Sequence, residues 1–265
     1  MRRENDGNGF YSLFLSEKEK ADTLIKTEFE KLEKDSYPGL FRAMEYALFP
    51  GGKRVRPVVL KWCAELGSPD PVKVSKAAAA VEYIHAYSLV HDDLPSMDDD
   101  DSRRGKPTVH IAFGEAMAVL AGDALLTEAF ALLGETGDPR MVSVLACEAG
   151  ARGMVGGQAA DILAREDIRY INELKTARLF RGAAVMGGLA GGADDPSLDK
   201  LSGYGINLGK AFQLRDDLLD DEAPDLSAAR AEAEEYVARA KEAVSGFSGS
   251  GRLTELADFM VERKQ

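Results

Sequence analysis

Apolar residues recur at three- to four-residue spacing over most of the chain, the mark of amphipathic helices. In "SEKEKADTLIKTEFEKLEKD", Leu24, Ile25, Phe29 and Leu32 share one stripe. Ser16 and Glu19 have the spacing of a capping box, which predicts that the helix starts there. Asp70 and Pro71 suit an N-cap and a first helical position. The helix they open, "VKVSKAAAAVEYIHAYSLVHDD", is apolar on most sides from Ala77 to Val90, so it should run through the centre of the domain. Further helices are expected over 115–134, about 140–164, 170–191, 197–220, 226–245 and 252–263. Strand-like alternation and Asn-Gly or Asp-Gly hairpin signals are scarce, and "SGFSGSG" at 245–251 reads as a loop. With no fixed-period repeat and no Pro- or Ser-rich linker, the pattern predicts one all-α domain over residues 1–265.

Composition bounds the function more than the fold. A net charge of −12 argues against a general nucleic-acid or anionic-membrane surface. A small anion remains admissible, because it needs only a local cluster of cations. The start "MRRENDGNGFYS" has no apolar h-region, and no segment offers about 18 uninterrupted apolar residues, so neither secretion nor a membrane span is expected. Cys63 and Cys147 each stand alone in apolar helical surroundings and read as reduced core residues, which fits a cytoplasmic protein.

The distribution of charge points to chemistry. "HDDLPSMDDDDSRRGKP" at 91–107 carries six aspartates in ten positions, followed by Arg103 and Arg104. Asp92 and Asp93 end the central helix. Pro95 disfavours helical geometry at Leu94, so the backbone should unwind and let Asp98 fold back toward Asp92. Unit charges 4 Å apart interact by roughly 1 kcal/mol in water and about 4 kcal/mol near a protein surface, so an enclosed carboxylate cluster needs cations. All-oxygen donors suit Mg²⁺, which shares its shell with water and substrate phosphates.

A solvated acidic loop explains one such run as well, but a second cluster weighs against it. "FQLRDDLLDDEAPD" supplies Asp216, Asp217 and Asp220, the first and last one turn apart on a helical face. The two clusters read as facing halves of one multi-metal site. "GGKRVRP" at 51–57 places Lys53, Arg54 and Arg56 in a Gly-rich turn suited to a diphosphate, although a basic turn alone more often faces solvent. His85, close to two turns before Asp92, fits either a satisfied core position or the site.

These pieces resemble a known family. "GGKRVRP", "YIHAYSLVHDDLPSMDDDDSRRGKPTVH", "GDALLTEAF", "GGQAADI", "KTARLFRGAA" and "GKAFQLRDDLLD" are similar, in order and over residues 40–222, to the short-chain trans-polyprenyl diphosphate synthases, which include farnesyl diphosphate synthase. The resemblance implies an isoprenoid synthase-like bundle of long helices around a central cavity, usually a homodimer. It implies that Asp92, Asp98 and Asp216 bind three Mg²⁺ ions gripping an allylic diphosphate, with Asp93, Asp217 and Asp220 completing the metal residues. Lys53, Arg56, His85 and Arg104 would hold isopentenyl diphosphate, and Arg103, Lys175, Thr176 and Gln213 would contact the allylic substrate. Asp92, Asp98, Arg103, Lys175 and Asp216 would carry catalysis. Tyr87, with its neighbour Ser88, would form the floor that stops elongation near C15, making farnesyl diphosphate the product; ordinary core is the other reading of Tyr87.

The sequence departs from that family after Asp220. A glycine- and lysine-containing loop normally closes over the allylic diphosphate, whereas "DEAPDLSAARAEAEEYVARAKEAV" leads almost directly into the next helix. The stretch between "ADILARED" and "IRYINELKTARLF" is also short. Arg181 and Arg215 are the neighbouring cations. The intact motifs favour an active enzyme with a more open lid over one that has lost turnover. A non-catalytic regulatory subunit and a class I terpene cyclase are the competing readings.

Overall fold

The computed structural model describes residues 3–163, 167–219 and 225–262. Its helices, in chain order, are α1 (Arg3–Glu30), α2 (Pro38–Leu48), α3 (Val55–Ala64), α4 (Pro71–Asp92), α5 (Val109–Phe113), α6 (Glu115–Gly134), α7 (Pro139–Ala149) and α8 (Met154–Leu163). There follow α9 (Ile168–Asn172), a π-helical turn (Glu173–Ala177), α10 (Arg178–Ala190), α11 (Asp195–Leu219), α12 (Leu226–Val244) and α13 (Gly251–Glu262). A two-stranded ribbon, β1 (Ser102–Arg103) and β2 (Lys106–Pro107), interrupts them.

The central helix is where the apolar pattern put it. α4 touches α1, α2, α3, α6, α7 and α10, and Ala77 through Ile84 are all buried, Glu82 included. Its start is fixed by Asp70, whose carboxylate accepts from the Val72 and Lys73 amides at 2.9 and 3.2 Å. This N-cap therefore satisfies two of the helix's orphan donors and starts the helix cleanly.

Elsewhere, packing overrides local signals. α1 begins at Arg3, so Ser16 lies mid-helix and no capping box forms. Phe10 and Phe14 extend the apolar stripe upstream, and Phe10 meets the rings of Trp62 and Phe259 at 6.0 and 5.5 Å. Those contacts against α3 and α13 carry the helix through the expected boundary. The helix expected over 140–164 is two, because the chain extends at Gly150 before α8 starts. α2, α3 and α5 are additions to the expected set. α6 is long and apolar enough to cross a membrane, although Asp123 and Glu128 interrupt its apolar run. Here it packs on α4 through Ala118, Ala121, Leu125, Ala129 and Leu133.

Candidate active site

The acidic turn after α4 folds as Pro95 requires. The Asp98 amide donates to the Asp92 carbonyl at 2.8 Å, and the Asp99 amide donates to Leu94 at 3.2 Å, with Asp99 in the left-handed region at φ 56°. The chain therefore doubles back and returns Asp98 to the end of α4. Asp92 is pushed up to about 6, first by burial and further by the neighbouring Asp98 charge. Asp93 turns the other way, is buried, and accepts from Arg103 Nε at 2.7 Å while pairing with Nη2 at 2.6 Å.

The two arginines that follow are separated by the ribbon. Arg104 (φ 54°) and Gly105 (φ 77°) occupy its tip, and both have the positive φ that a two-residue hairpin of matching twist demands. Arg103 is on β1 and points back to Asp93. Arg104 reaches across to the turn before α3, where a Cβ on Gly52 would collide with its guanidinium. Lys106 Nζ anchors the ribbon to the carbonyls of Tyr46 and Phe49 at 2.8 and 3.0 Å, and Tyr46 Oη donates to Pro107 O at 2.8 Å. Nothing in the apolar pattern signalled this clamp, because Arg-Gly is not among the common hairpin dipeptides.

The basic turn before α3 divides its cations. Lys53 and Arg56 line a cavity of about 440 Å³ together with His85, Arg103 and Arg104. Arg56 Nε is buried without a hydrogen-bond partner, and burial pulls its guanidinium down to about 10. Its face stacks on the Phe180 ring at 4.5 Å. Arg54, read from sequence as a third cradle cation, also belongs to this lining, but its guanidinium is held by the scaffold. It pairs with Asp22 at 2.6 Å, with Glu82, and with the Leu48 carbonyl at 2.7 Å. His85 is held well below its usual range by burial and by the Arg56 and Arg104 charges, so its imidazole is neutral.

The opposite wall comes from α11 and the π-helical turn. The Arg178 amide bonds back to Glu173, five residues earlier, which adds one residue to the turn that carries Lys175 and Thr176. The sequence pattern predicted a continuous helix here, since one extra residue barely disturbs a 3.6-residue period. Thr176 Oγ1 donates to Gln213 Oε1 at 2.7 Å, and Gln213 Nε2 donates to Asp217 Oδ1 at 2.8 Å. Asp216 lies 3.9 Å from Lys53 Nζ, bridging the two motifs. Lys175 Nζ is held by Asp161 at 2.6 Å, a partner that sequence reasoning did not single out. Asp220 lies outside the described residues. Of the neighbouring cations, Arg181 is paired with Glu148, its Nε donating at 3.0 Å.

A second cavity, of about 470 Å³, adjoins the first. It is lined chiefly by apolar side chains of α4, α6 and α8, with Tyr87, Ser88, Asp92 and Lys175 among them. Arg56, His85, Leu89 and Thr176 belong to both linings. Tyr87 is 6% exposed, and burial pushes its phenol up to about 12. Gln158, also in this lining, has both amide atoms buried without a partner. Among the described residues no three carboxylate, imidazole or thiol groups converge closely enough to hold an ion alone. The donors Asp92, Asp98 and Asp216 are nonetheless all oxygen, which fits a hard cation that completes its shell from water and phosphate.

Comparison with known proteins bears on the family and the fold. Farnesyl diphosphate synthase of Geobacillus stearothermophilus is 45% identical over 224 residues, 79% of this chain and 75% of that one. An FPP/GFPP synthase from Zymomonas mobilis, solved without ligand, superposes with a TM-score of 0.85 at 35% identity, covering 96% of this chain and 99% of that one. A geranylgeranyl pyrophosphate synthetase from Pyrococcus horikoshii Ot3 gives the same TM-score at 29% identity, over 96% and 99% of the two chains. The family profile described as Polyprenyl synthetase matches residues 38–227, from the start of α2 into α12, and the chain belongs to that family.

Proposed function

We propose that this protein condenses isopentenyl diphosphate with an allylic diphosphate, dimethylallyl or geranyl, and releases farnesyl diphosphate as its main product. As a family member it is a prenyltransferase, acting on isoprenoid diphosphates. The observation that carries the proposal is the pair of adjoining cavities: a cationic one sized for a diphosphate and an apolar one sized for a short hydrocarbon, sharing His85 and Thr176.

In this reading Lys53, Arg56 and Arg104 bind the diphosphate of isopentenyl diphosphate, and neutral His85 donates one N–H to it. Lys175, Thr176, Gln213 and Arg103 orient the allylic diphosphate, with Arg103 held in place by Asp93. Asp92, Asp98 and Asp216, supported by Asp93, Asp217 and Asp220, would hold the Mg²⁺ ions, three by family pattern, whose charge stabilises diphosphate as it leaves. The apolar lining keeps water from the allylic cation while the isopentenyl double bond attacks it. Tyr87 and Ser88 end the apolar cavity and limit elongation.

One domain spanning residues 1–265 carries the whole site, and a cytoplasmic homodimer is the expected form. Ile111 and Phe113 on α5 and Leu120 on α6 are exposed large apolar residues, which supports pairing with a second copy. In the sequence only "DEAPD" separates Asp220 from Leu226, where α12 begins, and that short spacing supports a more open lid.

The test is incubation of the purified protein with Mg²⁺, isopentenyl diphosphate and dimethylallyl, geranyl or farnesyl diphosphate in turn. Farnesyl diphosphate from the first two substrates is the expected result. Hydrocarbon released from an allylic substrate alone would indicate a cyclase, and absence of turnover with every pair would indicate a regulatory subunit.

A further inference from the structure

The turn "GGKRVRP" contains one arginine whose three side-chain nitrogens are all already directed to the scaffold. The Arg54 side chain is only 1% exposed, and three of its nitrogens are directed: Nε to Asp22 on α1, Nη1 to Glu82 on α4, and Nη2 to the carbonyl of Leu48 at the end of α2. Its backbone adopts the left-handed conformation, φ 51° and ψ 31°, at the residue that caps α3. A non-glycine residue keeps that conformation only when its surroundings enforce it. Gly51 is part of the enforcement, because a Cβ there would collide with the guanidinium. Three helices thus fix the conformation of a single residue.

The residues on either side carry the consequence. Lys53 precedes Arg54 and Arg56 follows two positions later; all three belong to the lining of the cationic cavity, but Arg54 has every side-chain nitrogen already directed to the scaffold. Arg56 is half-buried, with its Nε enclosed and unpartnered, so a small shift of its backbone moves a group already aimed into the cavity. Glu82 forms part of the cavity wall, but Asp22 belongs to neither cavity. The Asp22 side chain is 34% exposed, on the outer face of the cluster.

We propose that Arg54, gripped by Asp22 and Glu82, is a positioning residue for the isopentenyl diphosphate pocket, so that Asp22 governs affinity for that substrate without touching it. The inference rests on the proposed function and deepens it by assigning what sets one of the two substrate affinities. Arg54 acts through Lys53 and Arg56, and its own charge is neutralised by two carboxylates before any substrate arrives.

Two variants separate positioning from charge. Asp22→Asn keeps shape and an acceptor oxygen, and Arg54→Lys keeps the cation but loses the fork. Asp22→Asn should raise KM for isopentenyl diphosphate about 5-fold, leaving kcat and the allylic KM within about 2-fold of wild type. Arg54→Lys should raise the same KM further, the double variant should be no worse than Arg54→Lys alone, and Asp22→Glu should restore most of the loss. A lowered melting temperature with unchanged KM would reduce Asp22 to a purely structural role and overturn the proposal. An equal rise in both substrates' KM would overturn it too.

A second measurement is independent of turnover. Calorimetric titration with inorganic pyrophosphate, without divalent cation, should show weaker binding by Asp22→Asn than by wild type. Equal affinities contradict the proposal. If wild type turns over no substrate pair, the functional reading fails, and this titration still decides the positioning claim.

Discussion

The two cavities are close in size, about 440 and 470 Å³, yet they are built on opposite principles. The cationic cavity is held by long-range polar contacts: Arg54 to Asp22 and Glu82, Arg103 to Asp93, Lys106 to two carbonyls. Its charged groups are oriented before any substrate arrives, so less ordering cost remains to be met on binding. The apolar cavity is shaped by packing, with Tyr87, Leu94, Met97 and Met154 setting its outline. Mutations on the polar side should therefore alter affinity, and mutations on the apolar side should alter which product fits.

The largest effect is expected at the aspartate turn. Asp92→Asn removes a carboxylate that lines the apolar cavity at the aspartate turn and lies beside Asp98. Single groups that stabilise charge in a transition state are worth roughly 10²–10³ in rate, and kcat should fall by about that factor with folding intact. Single-turnover assays with circular dichroism on the same samples check both halves of that expectation.

A smaller effect sharpens the comparison on the cationic side. Gly52→Ala places a methyl where the Arg104 guanidinium lies. Displacing one charge-assisted contact, worth about 1.5–3 kcal/mol, should raise KM for isopentenyl diphosphate on the order of 10-fold or more. The allylic KM and the product distribution should not change.

On the apolar side, Tyr87→Ala should leave both KM values within about 3-fold and shift products from C15 toward C20, as read by chromatography of dephosphorylated products. An unchanged chain length would identify Tyr87 as ordinary core and move the floor elsewhere in the lining. Ser88, whose hydroxyl donates to the His85 carbonyl at 3.0 Å, should have the weaker influence on length.

The smallest effect concerns pH. Asp92 stands at about 6 against an ordinary 3.8, so the fold disfavours its ionised form. Its contribution to stability is therefore fully present below the ordinary value and is lost as pH rises through about 6. Mg²⁺ with inorganic pyrophosphate should offset that loss. The gain in melting temperature should be a few degrees larger at pH 8 than at pH 5.5, measured by thermal shift.

Particular residues show how much of this was legible in the sequence. The course of α4 followed from its unbroken apolar stretch, and the fold-back of Asp98 followed from Pro95, because both depend on neighbours in the chain. The fate of Arg54 did not, since its partners Asp22 and Glu82 lie 32 and 28 positions away. Lys53, Arg54 and Arg56 look alike in sequence and only tertiary packing separates the structural cation from the other two. The start of α1 was misplaced for the same reason, because Phe10 and Phe14 are ordered by α3 and α13. The π-helical turn at 173–177 adds one residue and the Arg104–Gly105 hairpin uses two, both too local to disturb an apolar period.

The central claim is a division of labour between the cavities, and Arg104→Ala tests it most directly. KM for isopentenyl diphosphate and KM for geranyl diphosphate would be measured for wild type and variant, each at saturation of the other substrate. The account predicts that the isopentenyl value rises about 10-fold or more while the geranyl value stays within about 2-fold. A rise confined to geranyl diphosphate, or an equal rise in both, would contradict it.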